Sequence, residues 1–332
     1  MKYSSRFFLY APMALFLALV LGVSVHWWVV ASAFSARLAA MNGREIAPGV
    51  TMHYASRTIS GFPFTLDTVF REMNFEIATP HGPTRWHADK FAMHALTYGR
   101  DETIFEAAGP QELSWTRDDG TRRTLAFAVG SLHASAIEDR TGMVRFDLDL
   151  VGFGSKALTA QRFQFHIRRN IPRDMFDIVV TANGVHFLGE NRPDLGERIA
   201  TASLTASIGA AEAFDPLRAG TQRWFDAATR WRSANGTLGV ENLSLAWSEM
   251  TMNGRGTLLL DAANRPHGEL EFRISGLPAF LQHAAKQNLA HGPNTGVAGS
   301  LIDRGQANVV LGFANGIVTV GGEPADTLAP LY

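Results

Sequence analysis

The sequence predicts a mainly β fold (β-rich α+β). An N-terminal transmembrane helix is followed by an antiparallel, curled or groove-like sheet with a few packed helices. Three observations carry this reading. Residues 7–30 have no formal charge apart from what His26 can carry. From residue 49 to about 210, apolar and polar residues alternate with a period of two, the mark of a sheet with one buried and one wet face. Short turn-rich segments separate the alternating runs, which favours antiparallel meanders over βαβ units.

The apolar run comes first. As a helix its 24 residues reach about 36 Å, enough for a bilayer core of about 30 Å. Pro12 falls in the first two turns, where a helix tolerates it, and Trp27 and Trp28 stand where an interfacial aromatic belt lies. Lys2 and Arg6 precede the span, while Arg37 and Arg44 follow it more distantly. The excess puts the N-terminus in the cytoplasm and the body outside. The expected layout is a tail at 1–6, an anchor at 7–30, a linker at 31–48, a β-rich region at 49–210 and a β/α region at 211–332. Ala31-Ser32-Ala33 also fits a signal-peptide cleavage site, but the run exceeds the usual length of about 7–15 residues, which favours an uncleaved anchor. The 26 Arg against 4 Lys fit a GC-rich bacterium. The body is then periplasmic, tethered to the inner membrane.

Composition excludes several functions. With 30 basic and 31 acidic residues in 332, the chain lacks the basic excess of a nucleic-acid binder. Beyond residue 33 the balance is 28 to 31, mildly acidic. The absence of cysteine removes thiol catalysis, disulfides and cysteine-ligated zinc.

Within 49–210 the alternating runs are Phe64 to Phe70, Phe75 to Ile77, Phe91 to Ala95, Val144 to Leu150 and Phe163 to Ile167. Pro80-His81-Gly82-Pro83, Asp118-Asp119-Gly120, Thr141-Gly142 and Asn183-Gly184 read as turns. Gly61-Phe62-Pro63-Phe64 reads as a bulge or the approach to a strand, with proline at its start. Asp215-Pro216 opens a helix whose Leu217, Trp224, Phe225, Ala228 and Trp231 share one stripe. Such a helix packs on the sheet by default; its arginines also suit a membrane surface. Strands resume at 243–247, 257–260 and 270–274, and a second helix is predicted from Leu277 to a stop at Gly292-Pro293. A last hairpin joins 309–313 to 317–320 through Asn315-Gly316.

No motif identifies a catalytic residue or a cofactor. His87 and Asp89 face one side of a strand, with His94, His81 and His133 elsewhere nearby, but no third ligand stands at motif spacing, so wet-face histidines are expected. Gly152-Phe153-Gly154-Ser155-Lys156 lacks the register of a phosphate loop and reads as a turn. Neither His-Glu-x-x-His nor Gly-x-Ser-x-Gly occurs.

Gly61-Phe62-Pro63-Phe64, Trp86-His87-Ala88, Tyr98, Ile104-Phe105-Glu106 and Gly109-Pro110 together resemble the alphaproteobacterial domain-of-unknown-function family numbered twenty-one twenty-five. Its members often carry cysteines flanking the Gly-aromatic-Pro-Phe motif; this chain has none, so a disulfide role does not transfer. Asn253-Gly254-Arg255-Gly256, Gly268-Glu269-Leu270, Asn315-Gly316-Ile317-Val318 and the Leu328-Ala329-Pro330-Leu331 end are similar to an AsmA-like C-terminus. That resemblance implies a membrane-anchored, β-rich envelope protein and supplies no catalytic residues.

The expected function is the binding or passage of a lipid-like ligand, with Phe64, Leu66, Phe91, Met93, Phe163 and Phe165 lining an apolar groove. The competing reading of these six is an ordinary closed core. A non-catalytic scaffold holding an envelope partner through a sheet edge is the runner-up function, and an enzyme the third.

Overall fold

The computed structural model describes residues 5–80, 82–98, 102–117, 119–189, 196–276 and 306–331. Helix α1 (Ser5–Met41) is one uninterrupted rod of 37 residues, about 55 Å long at 1.5 Å per residue. Its stretch from Tyr10 is long and apolar enough to cross a membrane, with a mean hydropathy of 2.1. Leu15, Phe16, Leu19 and Leu21 are exposed along it.

Residues 31–41 continue this helix and dock on the body, where the sequence predicted a linker. Ala31 and Leu38 are buried, and Phe34 packs against the same core. The Tyr54 hydroxyl donates to the Leu38 carbonyl at 3.0 Å, and Arg57 Nη2 donates to the Ser35 carbonyl at 2.7 Å. Asn42 and Tyr54 exchange two further bonds of 3.1 and 2.9 Å. Helical periodicity persists past the apolar stretch because this final part has a buried stripe of its own.

The strands follow in chain order: β1 (Arg44–Ala47), β2 (Val50–His53), β3 (Ser56–Ser60), β4 (Thr65–Ile77), β5 (Thr84–Leu96), β6 (Glu102–Thr116), β7 (Arg122–Asp139), β8 (Gly142–Ser155) and β9 (Leu158–Asn170). Then come β10 (Met175–Phe187), β11 (Arg198–Gly209), α2 (Asp215–Arg218), α3 (Trp224–Ser233), β12 (Leu238–Trp247), β13 (Met250–Leu260), β14 (Pro266–Ser275), β15 (Gln306–Ala314), β16 (Ile317–Val320) and β17 (Glu323–Thr327). The seventeen described strands form one antiparallel sheet. β2 and β3 form one line, interrupted at Tyr54-Ala55, that pairs with β4. From β4 onward each strand pairs with its neighbours in sequence, and the sheet does not close.

The register aligns whole rows of side chains. One row, apolar after the buried Thr68, runs Thr68–Met93–Phe105–Ala134–Leu148–Phe165 from β4 to β9. It continues Val180–Leu204–Leu243–Gly254–Phe272–Val309 to β15. One residue along each strand, on the opposite face, Glu106–His133–Asp149–Gln164–Thr181–Ser203–Ser244–Asn253–Arg273–Asn308 form a polar row. A period of two, kept in register across twelve strands, gives one sheet an oily face and a wet face.

Three clusters consolidate this sheet. The first packs α1 against β2 to β7 around Phe70, Met73 and Phe91. The second packs α3 and its approach against β9 to β13 around Phe176, Phe214 and Trp231. The third, around Phe272 and Val309, joins β12 to β16.

Several details differ from expectation. The helix opened by Asp215-Pro216 is two pieces, separated at Gly220, whose φ of 66° lies in the left-handed region. Asn183-Gly184 is inside β10, where a φ of 59° at Gly184 kinks the strand without turning it. β8 runs through Ser155, into the segment read from the sequence as a turn. β12 pairs with β11 across residues 210–211, with register shifts at Ile199/Thr201 and Thr205/Ala206, so the sheet is common to both expected regions. The helix predicted from Leu277 lies outside the described residues.

Candidate functional site

The middle of the oily face is the candidate binding surface. Leu148, Leu150, Phe163, Phe165, Val180 and Leu204 alternate inward on β8 to β11. They are half-buried and belong to none of the three clusters among the described residues. Phe163 and Phe165, two of the predicted lining residues, therefore sit on this central stretch. Met93 is half-buried at the margin of the first cluster. Leu66 and Phe91, only 4% and 7% exposed, belong to the closed part of the interior. Phe64 precedes β4, is 55% exposed and turns its ring toward Tyr98, so it lies off the inner face.

The same face leads to a cavity of about 370 Å³ beneath α3. Ile208, Leu238, Leu258 and Leu260 form its floor, and Phe214, Trp224 and Trp231 its roof. Trp231 is held by its indole N–H, which donates to the Gly209 carbonyl at 2.7 Å. Trp224 is 56% exposed at the rim. Of the stripe predicted for this helix, Ala228 and Trp231 are buried and Leu217 packs on the second cluster, while Trp224 is left at the opening.

A second group of aromatics surrounds the point where α1 meets the body. The Trp27 indole donates to the Thr65 carbonyl at 2.9 Å and meets the Phe62 ring edge-on at 5.7 Å. Trp28, Phe62, Phe64 and Tyr98 are each more than half exposed around it. Gly61-Phe62-Pro63-Phe64 forms the β3–β4 connection, with a cis bond between Phe62 and Pro63. Gly61 has a φ of 99°, and its carbonyl accepts from the Thr65 N–H at 2.9 Å. A Cβ there would stand 2.2 Å from Thr65 Oγ1, so glycine is required. The other family-motif residues are structural. Trp86 packs on Phe75 and Phe91 and donates to Gln111 Oε1 at 2.9 Å, while Gly109-Pro110 lies at a register shift between β6 and β7.

On the wet face, charged groups pair between neighbouring strands. Asp67 Oδ1 lies 2.8 Å from His94 Nδ1, and Glu106 lies 3.7 Å from His94 and 3.2 Å from His133. Asp149 takes a two-pronged grip from Arg162 at 2.7 and 2.8 Å, which holds its carboxyl below the usual value against a smaller opposing effect of burial. Burial pushes Asp147 up, yet hydrogen bonds and charge from His166 and Arg145 outweigh it and leave the carboxyl lowered. His87 lies elsewhere, beside Asp89 and Glu72 at 3.3 and 3.7 Å. His94 and His133 do not join it, and His81 is outside the described residues. Glu72 is the partner the sequence did not disclose, since only the β4–β5 register brings it there.

The chain belongs to the family described as uncharacterized protein conserved in bacteria (DUF2125), whose family model matches residues 27–326. No curated protein matches the chain.

Proposed function

We propose that this chain is a non-catalytic, membrane-tethered envelope protein that carries an elongated apolar ligand, of the acyl-chain class, along the inner face of its sheet. The carrying observation is the half-buried central stretch from Leu148 to Leu204, outside every described cluster and on the same face of β11 as Ile208, which lines the cavity beneath α3. Proteins fill their interiors to crystal-like density, so an aligned oily face without a described cover calls for an occupant. The anchor supports a source for it. From Phe7 to His26 a helix covers about 30 Å, the thickness of a bilayer core, which sets Trp27, Phe62, Phe64 and Tyr98 at the interface. In this reading the body is periplasmic, the span is in the inner membrane, and no nucleic acid is bound.

The scaffold reading requires an edge free to pair. Among the described residues, the edge strands β1 and β3 have only four and five residues and the outer strand β17 carries Pro324, Glu323 and Asp326, features that blunt edge pairing. The lipid reading is therefore preferred.

The test is photo-crosslinking of the full-length chain in lipid nanodiscs to phospholipid bearing an acyl-chain diazirine. Adducts mapping to β8–β11, and lost in Phe165→Asp or Leu204→Asp, support the reading. Adducts confined to α1, with none on the sheet, overturn it.

A further inference from the structure

Alternation reverses on β4 and β5 at the same level. Phe70 and Met73, three residues apart, are both buried, and so are Ala88 and Phe91. The register Arg71↔Lys90 and Met73↔Ala88 therefore sets Glu72 directly opposite Asp89. Their side chains are 60% and 63% exposed, on the wet side. Two like charges in that relation are unfavourable. Glu72 also holds a φ of 52°.

His87 stands between them. Its Nδ1 is 3.1 Å from Asn74 Oδ1, and Asn74 Nδ2 donates to the Glu72 carbonyl at 2.9 Å. Because the Asn74 amide donates through nitrogen there, its oxygen faces the imidazole, and His87 Nδ1 carries the hydrogen. Nε2 then directs a lone pair at Asp89 Oδ1, 3.3 Å away, and at Glu72 Oε2, 3.7 Å away. Three acceptor atoms converge without a donor among them.

We propose that Glu72, His87 and Asp89 bind one divalent transition-metal ion, of the zinc class. Tetrahedral zinc with bonds of about 2.0–2.1 Å needs ligand atoms roughly 3.3–3.4 Å apart, close to the spacings found. The three ligand atoms lie within 4.8 Å of one another. An imidazole that binds metal through one nitrogen and donates its other N–H to a carbonyl oxygen is oriented as metal-ligating histidines are. The fourth position opens to water. The ion neutralises the opposed carboxylates and ties β4 to β5 where both strands change face.

The test uses the full-length, tag-free chain in detergent micelles, stripped with chelator and titrated with zinc chloride by calorimetry, with thermal unfolding followed in parallel. One ion per chain is expected, with Tm rising as zinc is added. Glu72→Gln, His87→Gln and Asp89→Asn each weaken binding at least tenfold and abolish the rise, while His94→Gln and His133→Gln leave both intact. Absence of saturable binding overturns the proposal. So does binding unchanged in all three ligand variants, or lost in the His94 or His133 variant.

Discussion

Gly254 and Phe272 are cross-strand partners on β13 and β14, and the phenylalanine ring occupies the space a side chain at residue 254 would need. A Cβ there would stand 2.5 Å from the ring. The missing side chain lets Phe272, 8% exposed, lie flat at the centre of the third cluster. Gly254→Val is expected to destabilise the chain by about 1–3 kcal/mol through overpacking, seen as a lower Tm. An unchanged Tm would show that the ring moves aside freely.

Trp231 makes two contributions that substitutions separate. Trp231→Phe keeps most of the apolar bulk but strips the Gly209 carbonyl of its donor, a cost of about 1–3 kcal/mol. Trp231→Ala also opens the roof of the cavity, raising the loss to about 3–5 kcal/mol. Thermal unfolding of both variants in detergent checks the order; equal losses would assign the whole effect to the hydrogen bond.

Acid sensitivity follows from Asp149 and Asp147, both lowered in the folded chain. A carboxyl depressed by folding stabilises above its unfolded value, about 3.9, and that contribution disappears as pH falls through the folded value. Tm is therefore expected to drop below about pH 4. The gap between the parent chain and Asp149→Asn should close over the same range. A gap that persists at the acid end would mean that Arg162 contributes by packing and not by charge.

The chain has no cysteine, so single-cysteine variants report position without background. Spin labels at residues 62, 64 and 98, in nanodiscs, are expected to sit at headgroup depth. A label at residue 171, exposed beyond β9, should report bulk water. If labels at 62 and 64 report bulk water as well, the β3–β4 loop does not reach the bilayer.

Much of the architecture was legible in the residues themselves. Phe91-Met93-Ala95 and Phe163-Phe165-Ile167 announced strands because large apolar groups made the period of two visible. Asn315-Gly316, with φ values of 53° and 79°, is the hairpin turn that its two residue types favour. β7, the longest strand, went unread because Ala126, Ala128, Gly130 and Ala134 blur the contrast between faces. The first half of β13 is hidden for a similar reason, its glycines blurring the alternation, Gly254 where Phe272 needs room. The docked end of α1 was missed because its buried stripe depends on Tyr54 and Arg57, partners from another element. The candidate site divides in the same way. Phe163 and Phe165 could be named from alternation, but that Leu66 is buried and Phe91 is sealed beneath α1 depends on long-range packing. Glu72 could not be paired with His87 without knowing the register.

Because each strand from β4 onward bonds only to those before and after it along the chain, the molecule is assembled like a zip fastener. Every newly delivered segment finds its docking edge already waiting, so order can spread from the N-terminal end as the polypeptide emerges, with small loop-closure penalties. The design is also extensible. Adding or deleting one up-and-down pair would lengthen or shorten the oily lane by a fixed increment while leaving the remaining ladder untouched.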